Sequence, residues 1–287
     1  MTAFLAAAEE LPPAQRVAAF DNDGTLWCER PTYVQYDFFE DALRSAAAAD
    51  PAVRERPEYA AVLDADQTAM GEIGLERIAL ALAELFVGLE PEGFTSRVQA
   101  FMAQGKHRTL GVPFARTVYQ PMLELLAELR DRGFTVFVVT GGGTEFVRAV
   151  SGELYGVHPE GVVGTLVDYD VARRPDGSLA PRRTARVLGS ANEGAAKVAN
   201  IQTQLGRRPV MAAGNSGGDR EMLEWACAGG SPCLALLVDH DDDEREFRYV
   251  SSAQTFAEPE PITDVGGRLG WTVVSMARDW ATVFPEG

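Results

Sequence analysis

The chain has 287 residues, 46% of them hydrophobic, enough to bury a sizeable core and to make two modules. A formal net charge of −16 argues against a nucleic-acid or anionic-membrane surface, so any anionic substrate has to be drawn by a local field. The start, with Phe4 and Leu5 followed by Glu9 and Glu10, lacks the basic head and long apolar run of a signal peptide, and no stretch approaches the ~20 apolar residues of a membrane span.

The first informative element is Val17-Ala18-Ala19-Phe20, a short apolar run that predicts a buried strand. It ends in Asp21-Asn22-Asp23-Gly24-Thr25. Two carboxylates two residues apart repel unless a cation lies between them or one holds a proton. The pattern therefore points to a metal site with one carboxylate free to attack and the other available for acid/base work. A strand that simply ends in an Asx-turn gives the same letters. Helical patterns follow at Tyr36 to Ala49, Leu75 to Phe86, Phe94 to Ala103 and Met122 to Arg130.

A second apolar run, Phe134 to Val139, ends in Thr140 and leads through Gly141-Gly142-Gly143 to a helix-like stretch. Read as a glycine-rich turn, it would bring Thr140 and backbone amides close to an anion, although many such turns are only tight turns. Gly161 to Leu166 predicts a further strand, and Arg173 to Ser178 the turn of a small hairpin. Of 26 Lys and Arg residues only Lys106 and Lys197 are lysine. Lys197, at the head of a helical stretch, is either a compact cation for a phosphate or carboxylate or an exposed surface lysine. The run Pro209 to Ala213 ends in Gly214-Asn215-Ser216-Gly217-Gly218-Asp219. Asn215 and Asp219 are oxygen ligands suited to Mg²⁺, or else cap the next helix. Leu234 to Val238 and Trp271 to Met276 predict two more strands, the latter at an edge. Asp239 to Glu244 reads as a solvated acidic loop or helix start, because it has no recognisable ligand spacing.

These four elements, in this order, resemble the haloacid dehalogenase-like hydrolase superfamily, and within it phosphoserine phosphatases. Asp21 to Thr25 matches its first motif fully, Thr140 the second and Lys197 the third. Gly214 to Asp219 matches the fourth with Asn215 in place of its first acid. The resemblance implies an α/β fold: a Rossmann-like three-layer core with a parallel sheet over residues 1–30 and 117–287, and an inserted, mostly helical cap over 31–116. It implies a Mg²⁺-dependent phosphomonoester hydrolase acting on a small phosphorylated metabolite. Asp21 would be the nucleophile that forms an aspartyl-phosphate and Asp23 the acid/base. Thr140, Gly141 and Gly142 would hold the phosphate, and Lys197 would offset charge. Asp21, the Asp23 carbonyl, and Asn215 or Asp219 would hold the metal. A phosphotransferase to an acceptor other than water, and a non-catalytic phosphometabolite binder that keeps the pocket but has lost turnover through Asn215, are the alternatives.

For the leaving group the candidates include Glu29, which would face a substrate amine or be a surface acid, and His107, part of a basic spot with Lys106 and Arg108. Arg148 would reach the site or pair with Glu145, and His158 and His240 read as loop residues. Cys28, Cys227 and Cys233 show no metal or redox spacing, so reduced, packed thiols and a cytoplasmic location are expected.

Overall fold

Val17–Phe20 (β1) is buried along its whole length, as a central strand with both faces covered must be. The computed structural model describes residues 1–230 and 232–286. Helix α1 (Thr2–Ala8) precedes β1. Six helices then follow before the next strand: α2 (Val34–Ala49), α3 (Pro57–Leu63), α4 (Gln67–Ile73), α5 (Leu75–Glu84), α6 (Pro91–Gln104) and α7 (Gln120–Asp131). The remaining chain runs β2 (Thr135–Gly143), α8 (Thr144–Tyr155), β3 (Val162–Arg173), β4 (Leu179–Leu188), α9 (Ala195–Leu205), β5 (Met211–Gly214), α10 (Arg220–Cys227), β6 (Leu234–Asp239), α11 (Ile262–Leu269), β7 (Thr272–Ser275) and α12 (Met276–Asp279).

The strands form one seven-stranded sheet in the order β4-β3-β2-β1-β5-β6-β7. Every pairing is parallel except that of β3 with β4. β1 lies between β2 and β5, with Phe20 beside Val138 and Ala213. The carboxyl ends of these three strands therefore open at one edge, where the chain reverses direction across the sheet and ligands of such folds sit. The predicted α/β class, with a parallel sheet layered between helices, is the observed one.

The helices between β1 and β2 have a small core of their own around Leu43, Tyr59, Val62, Ile78 and Leu82. Phe38, Phe86, Phe94 and Met102 instead join the main core. The ring of Phe38 lies 5.1 Å from that of Phe86 and 5.5 Å from that of Phe146 in α8, which fastens this helical insert to the sheet layer.

Four expectations change. Gly141 to Gly143 is not a turn: β2 continues through it and α8 starts at Thr144. A register shift after Val139 lets Gly143 pair with Thr165, so β3 extends the ladder where a loop was expected. β3 itself runs on to Arg173 and folds back as the predicted hairpin. Cys227 and Cys233 are a disulfide, not reduced thiols; the chain turns back from α10 into β6 and brings their Cα atoms to 5.2 Å. The acidic stretch after β6 is a loop only in part solvated: Asp243 and Glu244 are exposed. Asp242 is buried and accepts from the backbone N–H of Glu244 and Arg245, and Asp241 accepts from Ser275 Oγ. Among the described residues no helix is long and apolar enough to cross a membrane.

Candidate active site

The first loop is wound tightly at the end of β1. Asp21 N–H donates to Ala213 O and extends the ladder by one step. The Asn22 carbonyl then accepts from the N–H of Thr25, Leu26 and Trp27, while Gly24 N–H donates to Trp27 O. Gly24 has φ +74°, and a Cβ there would stand 2.0 Å from Asn215 Nδ2. Only glycine lets this loop lie against the end of β5.

Lys197, on the first turn of α9, is fully buried. Its Nζ lies 2.5 Å from Asp21 Oδ1 and 2.6 Å from Asp219 Oδ1, and donates to Val139 O at 2.8 Å. One cation thus joins the ends of β1, β2 and β5, and the exposed-lysine reading fails. Burial alone would lower the Lys197 pKa, but the attraction of Asp21 and Asp219 outweighs it and drives it up. Asp21 is held well above the usual carboxylate range, first by burial and then by Asp219, against the pull of Lys197. Asp23 is raised as well; burial dominates, while hydrogen bonds from Trp27 and Asn22 oppose it. Trp27 Nε1 donates to Asp23 Oδ1 at 2.8 Å and aims that carboxyl.

Thr140 is buried, and its Oγ1 accepts from Gly142 N–H at 3.0 Å. A Cβ on Gly142 would lie 2.8 Å from Gln35 Oε1, 3.2 Å from Thr140 Oγ1 and 3.9 Å from Asp23 Oδ2. These oxygens converge on one small space beside exposed Gly141. Gly143 N–H donates to Gln35 Oε1, so α2 reaches the rim of the site.

The oxygens near Asp21 separate into engaged and available ones. Asp219 Oδ1 is on Lys197, and its Oδ2 accepts from Asn215 N–H, Ser216 N–H and Ser216 Oγ. Asn215 Oδ1 accepts only a long 3.2 Å bond from Thr25 Oγ1. Among the described residues no hydrogen bond engages Asp21 Oδ2 or the Asp23 carbonyl. Among the described residues no group of three His, Cys, Asp or Glu side chains is arranged as a metal cage. One carboxylate, one carbonyl and one amide oxygen nevertheless suit Mg²⁺, which takes few protein oxygens and keeps its waters. A divalent cation would also balance the two carboxylates that share the Lys197 ammonium and that of Asp23 beside them.

The other sequence candidates are redirected. Glu29 is buried, not a surface acid, and its Oε1 accepts from Asn215 Nδ2 at 3.0 Å. His107 is not a cationic spot facing the cleft. It is buried, its Nε2 donates to Arg30 O at 2.6 Å, and its Nδ1 accepts from the N–H of Thr109 and Leu110. Arg108 pairs with Asp37 and Glu40. Arg148 neither reaches the site nor pairs with Glu145; it donates to Pro159 O.

Sequence reasoning missed four supporting residues. Asn192 Nδ2 donates to Thr140 O and Val163 O and pins the end of β2. Tyr155 Oη donates to Asn22 Oδ1 at 2.9 Å. His240 Nε2 donates to Gly24 O at 2.8 Å, and its Nδ1 faces Glu246 Oε2 at 3.4 Å. Only Trp27 carried a local signal, standing four residues beyond Asp23.

Residues 18–224 match the family model described as haloacid dehalogenase-like hydrolase. Among solved structures, one from Bordetella pertussis Tohama I, described as a protein with unknown function, aligns over 91% of this chain and 98% of its own, with TM-score 0.53 and 20% identity. A functionally unknown protein from Anaerococcus prevotii aligns over 87% and 92%, with TM-score 0.51 and 14% identity. A probable phosphoserine phosphatase from Vibrio cholerae aligns over 92% of this chain and 62% of its own, with TM-score 0.46 and 16% identity. At these identities the likeness is one of fold. The search of curated proteins returned no match.

Proposed function

The chain belongs to the haloacid dehalogenase-like hydrolase family, and from that premise we propose that it is a Mg²⁺-dependent phosphatase of small phosphorylated metabolites. The observation that carries this reading is the meeting of Asp21 and Asp219 on Lys197 Nζ beside the raised carboxyl of Asp23. In the first step an Asp21 oxygen bonds to phosphorus as the ester oxygen leaves, and Asp23 gives that oxygen its proton. In the second, Asp23 takes a proton from water as the water oxygen bonds to phosphorus and releases Asp21. Thr140 Oγ1, oriented by Gly142 N–H, and the amide of Gly141 hold phosphoryl oxygens, and Lys197 offsets their charge. Asp21, the Asp23 carbonyl and the Asn215 oxygen would hold Mg²⁺, which when bound neutralises charge on the transferred group.

Residues 31–116 form the cap in this reading, with Gln35 as the contact that brings it to the phosphoryl space. Glu29 and His107 are assigned to positioning the first loop, since their polar atoms face Asn215 and the protein backbone. The test is phosphate release from an aryl phosphate and from a panel of phosphorylated metabolites, with Mg²⁺ or with chelator. Turnover that needs Mg²⁺ and vanishes in a folded Asp21→Asn variant is expected. Turnover retained in that variant would overturn the assignment.

A further inference from the structure

Position 215 is where the fourth motif gives up an acid. Its replacement, Asn215, is 2% exposed and has both ends of its carboxamide assigned. Nδ2 donates to Glu29 Oε1 and to Ser251 Oγ, each at 3.0 Å, while Oδ1 takes the hydroxyl of Thr25. A carboxylate can only accept, so Glu29 dictates which end of the amide faces it. The pair lies directly on the first loop: a Cβ at Gly24 would be 2.0 Å from Asn215 Nδ2 and 2.7 Å from Glu29 Oε1. Glu29 itself is 6% exposed, so this acid is built into the wall behind the site rather than offered to solvent.

We propose that Glu29 and Asn215 act as one acid–amide unit, in which Glu29 Oε1 holds Asn215 Nδ2 and so locks the Asn215 oxygen toward Thr25 and the metal site. Asn215 is then a neutral ligand held rigid by the acid one hydrogen bond behind it. Glu29 is a positioning residue, acting through Asn215. The inference rests on the Mg²⁺ assignment above and on no feature of the substrate.

The unit can be swapped. Asn215→Asp alone sets two buried carboxylates about 3 Å apart. Glu29→Gln alone can present either a donor or an acceptor to Asn215, so the lock on its amide is lost. Asn215→Asp with Glu29→Gln restores one acid and one amide with the roles exchanged. Mg²⁺ binding is measured by calorimetry on the substrate-free protein, and melting temperature without Mg²⁺. Glu29→Gln should weaken Mg²⁺ binding by on the order of tenfold, as the loss of a contact that orients a metal ligand does. Asn215→Asp should lower the melting temperature by about 3 °C or more, and the double variant should recover most of both losses. Unchanged Mg²⁺ affinity in Glu29→Gln, or an Asn215→Asp melting loss that is the same with Glu29 or Gln at position 29, would overturn the unit. Should Asn215→Asp fail to fold alone, recovery of folding in the double variant supports the coupling, and failure of both overturns it. None of these readouts uses turnover, so a wild-type protein that binds Mg²⁺ but releases no phosphate would sink the phosphatase reading and leave this one standing.

Discussion

Trp27 Nε1 at 2.8 Å favours the ionised form of Asp23, while burial pushes the other way and prevails. In its proposed role of general acid Asp23 has to hold its proton, so kcat/KM should fall as pH rises through its elevated pKa. Trp27→Phe removes a donor to the charged form; the pKa rises further, and that alkaline limb should move up by about one pH unit. A limb that stays put, or moves down, would show that another group sets it. Asp23→Asn should slow turnover by ~10²–10⁴-fold, and less for esters with good leaving groups. An equal loss across leaving groups would point to a structural role. From the letters alone Asn215→Asp should tighten Mg²⁺ binding by adding charge, with Asp219→Ala weakening it severely. Glu29, 3.0 Å away, adds a cost that no local pattern displays. Asp21 and Thr140 were legible because each closes an apolar run; Lys197 stood out as one of two lysines, at the head of a helical stretch. His240, Asn192 and Tyr155 were not, because each serves a carbonyl or amide contributed by a remote segment.

At the scale of elements, Arg183 of β4 does the most joining. Its guanidinium pairs with Glu145 in the first turn of α8 and lies 4.3 Å from the centre of the Phe94 ring in α6. Its backbone N–H donates to Leu89 O and its carbonyl accepts from Gly88 N–H. Hairpin, helical insert and the helix after β2 thus meet on one buried residue. Arg183→Ala strands Glu145 in the interior and should cost about 3–5 kcal/mol. Arg183→Met with Glu145→Gln should recover part of that in a denaturant titration; additive losses would mean the two groups are not coupled. The order of helices and strands was readable from their periodicity. The Gly141 to Gly143 extension of β2 was not, because glycine marks a turn in isolation and only the continuing β3 makes it a strand. The disulfide was equally hidden: a six-residue spacing says nothing until the turn from α10 to β6 is built.

For the whole molecule, a net charge of −16 opposes the approach of any phosphate ester, whatever Lys197 and a bound cation offer locally. Raising ionic strength from ~10 to ~150 mM shortens the screening length from about 30 to about 8 Å, which mutes the distant charges and spares the buried ones. At fixed Mg²⁺, KM for a phosphorylated substrate should therefore fall by about two- to fivefold over that range. A rising KM would mean that the cleft, not the global charge, governs encounter.

The central place of β1 has a consequence for how the chain comes to be folded. The strand that carries Asp21 is made first, yet it pairs with Thr135–Val138 on one side and Met211–Ala213 on the other. During synthesis it has to await both of these segments while the helical insert emerges. Such long-range closure is slow and exposes a strand that invites wrong pairings. A nascent chain stalled before residue 211 should remain protease-sensitive around residues 17–27 even when residues 57–84 are protected, and release past residue 240 should protect both together. Early protection of the first loop would mean that β1 finds shelter before its sheet exists.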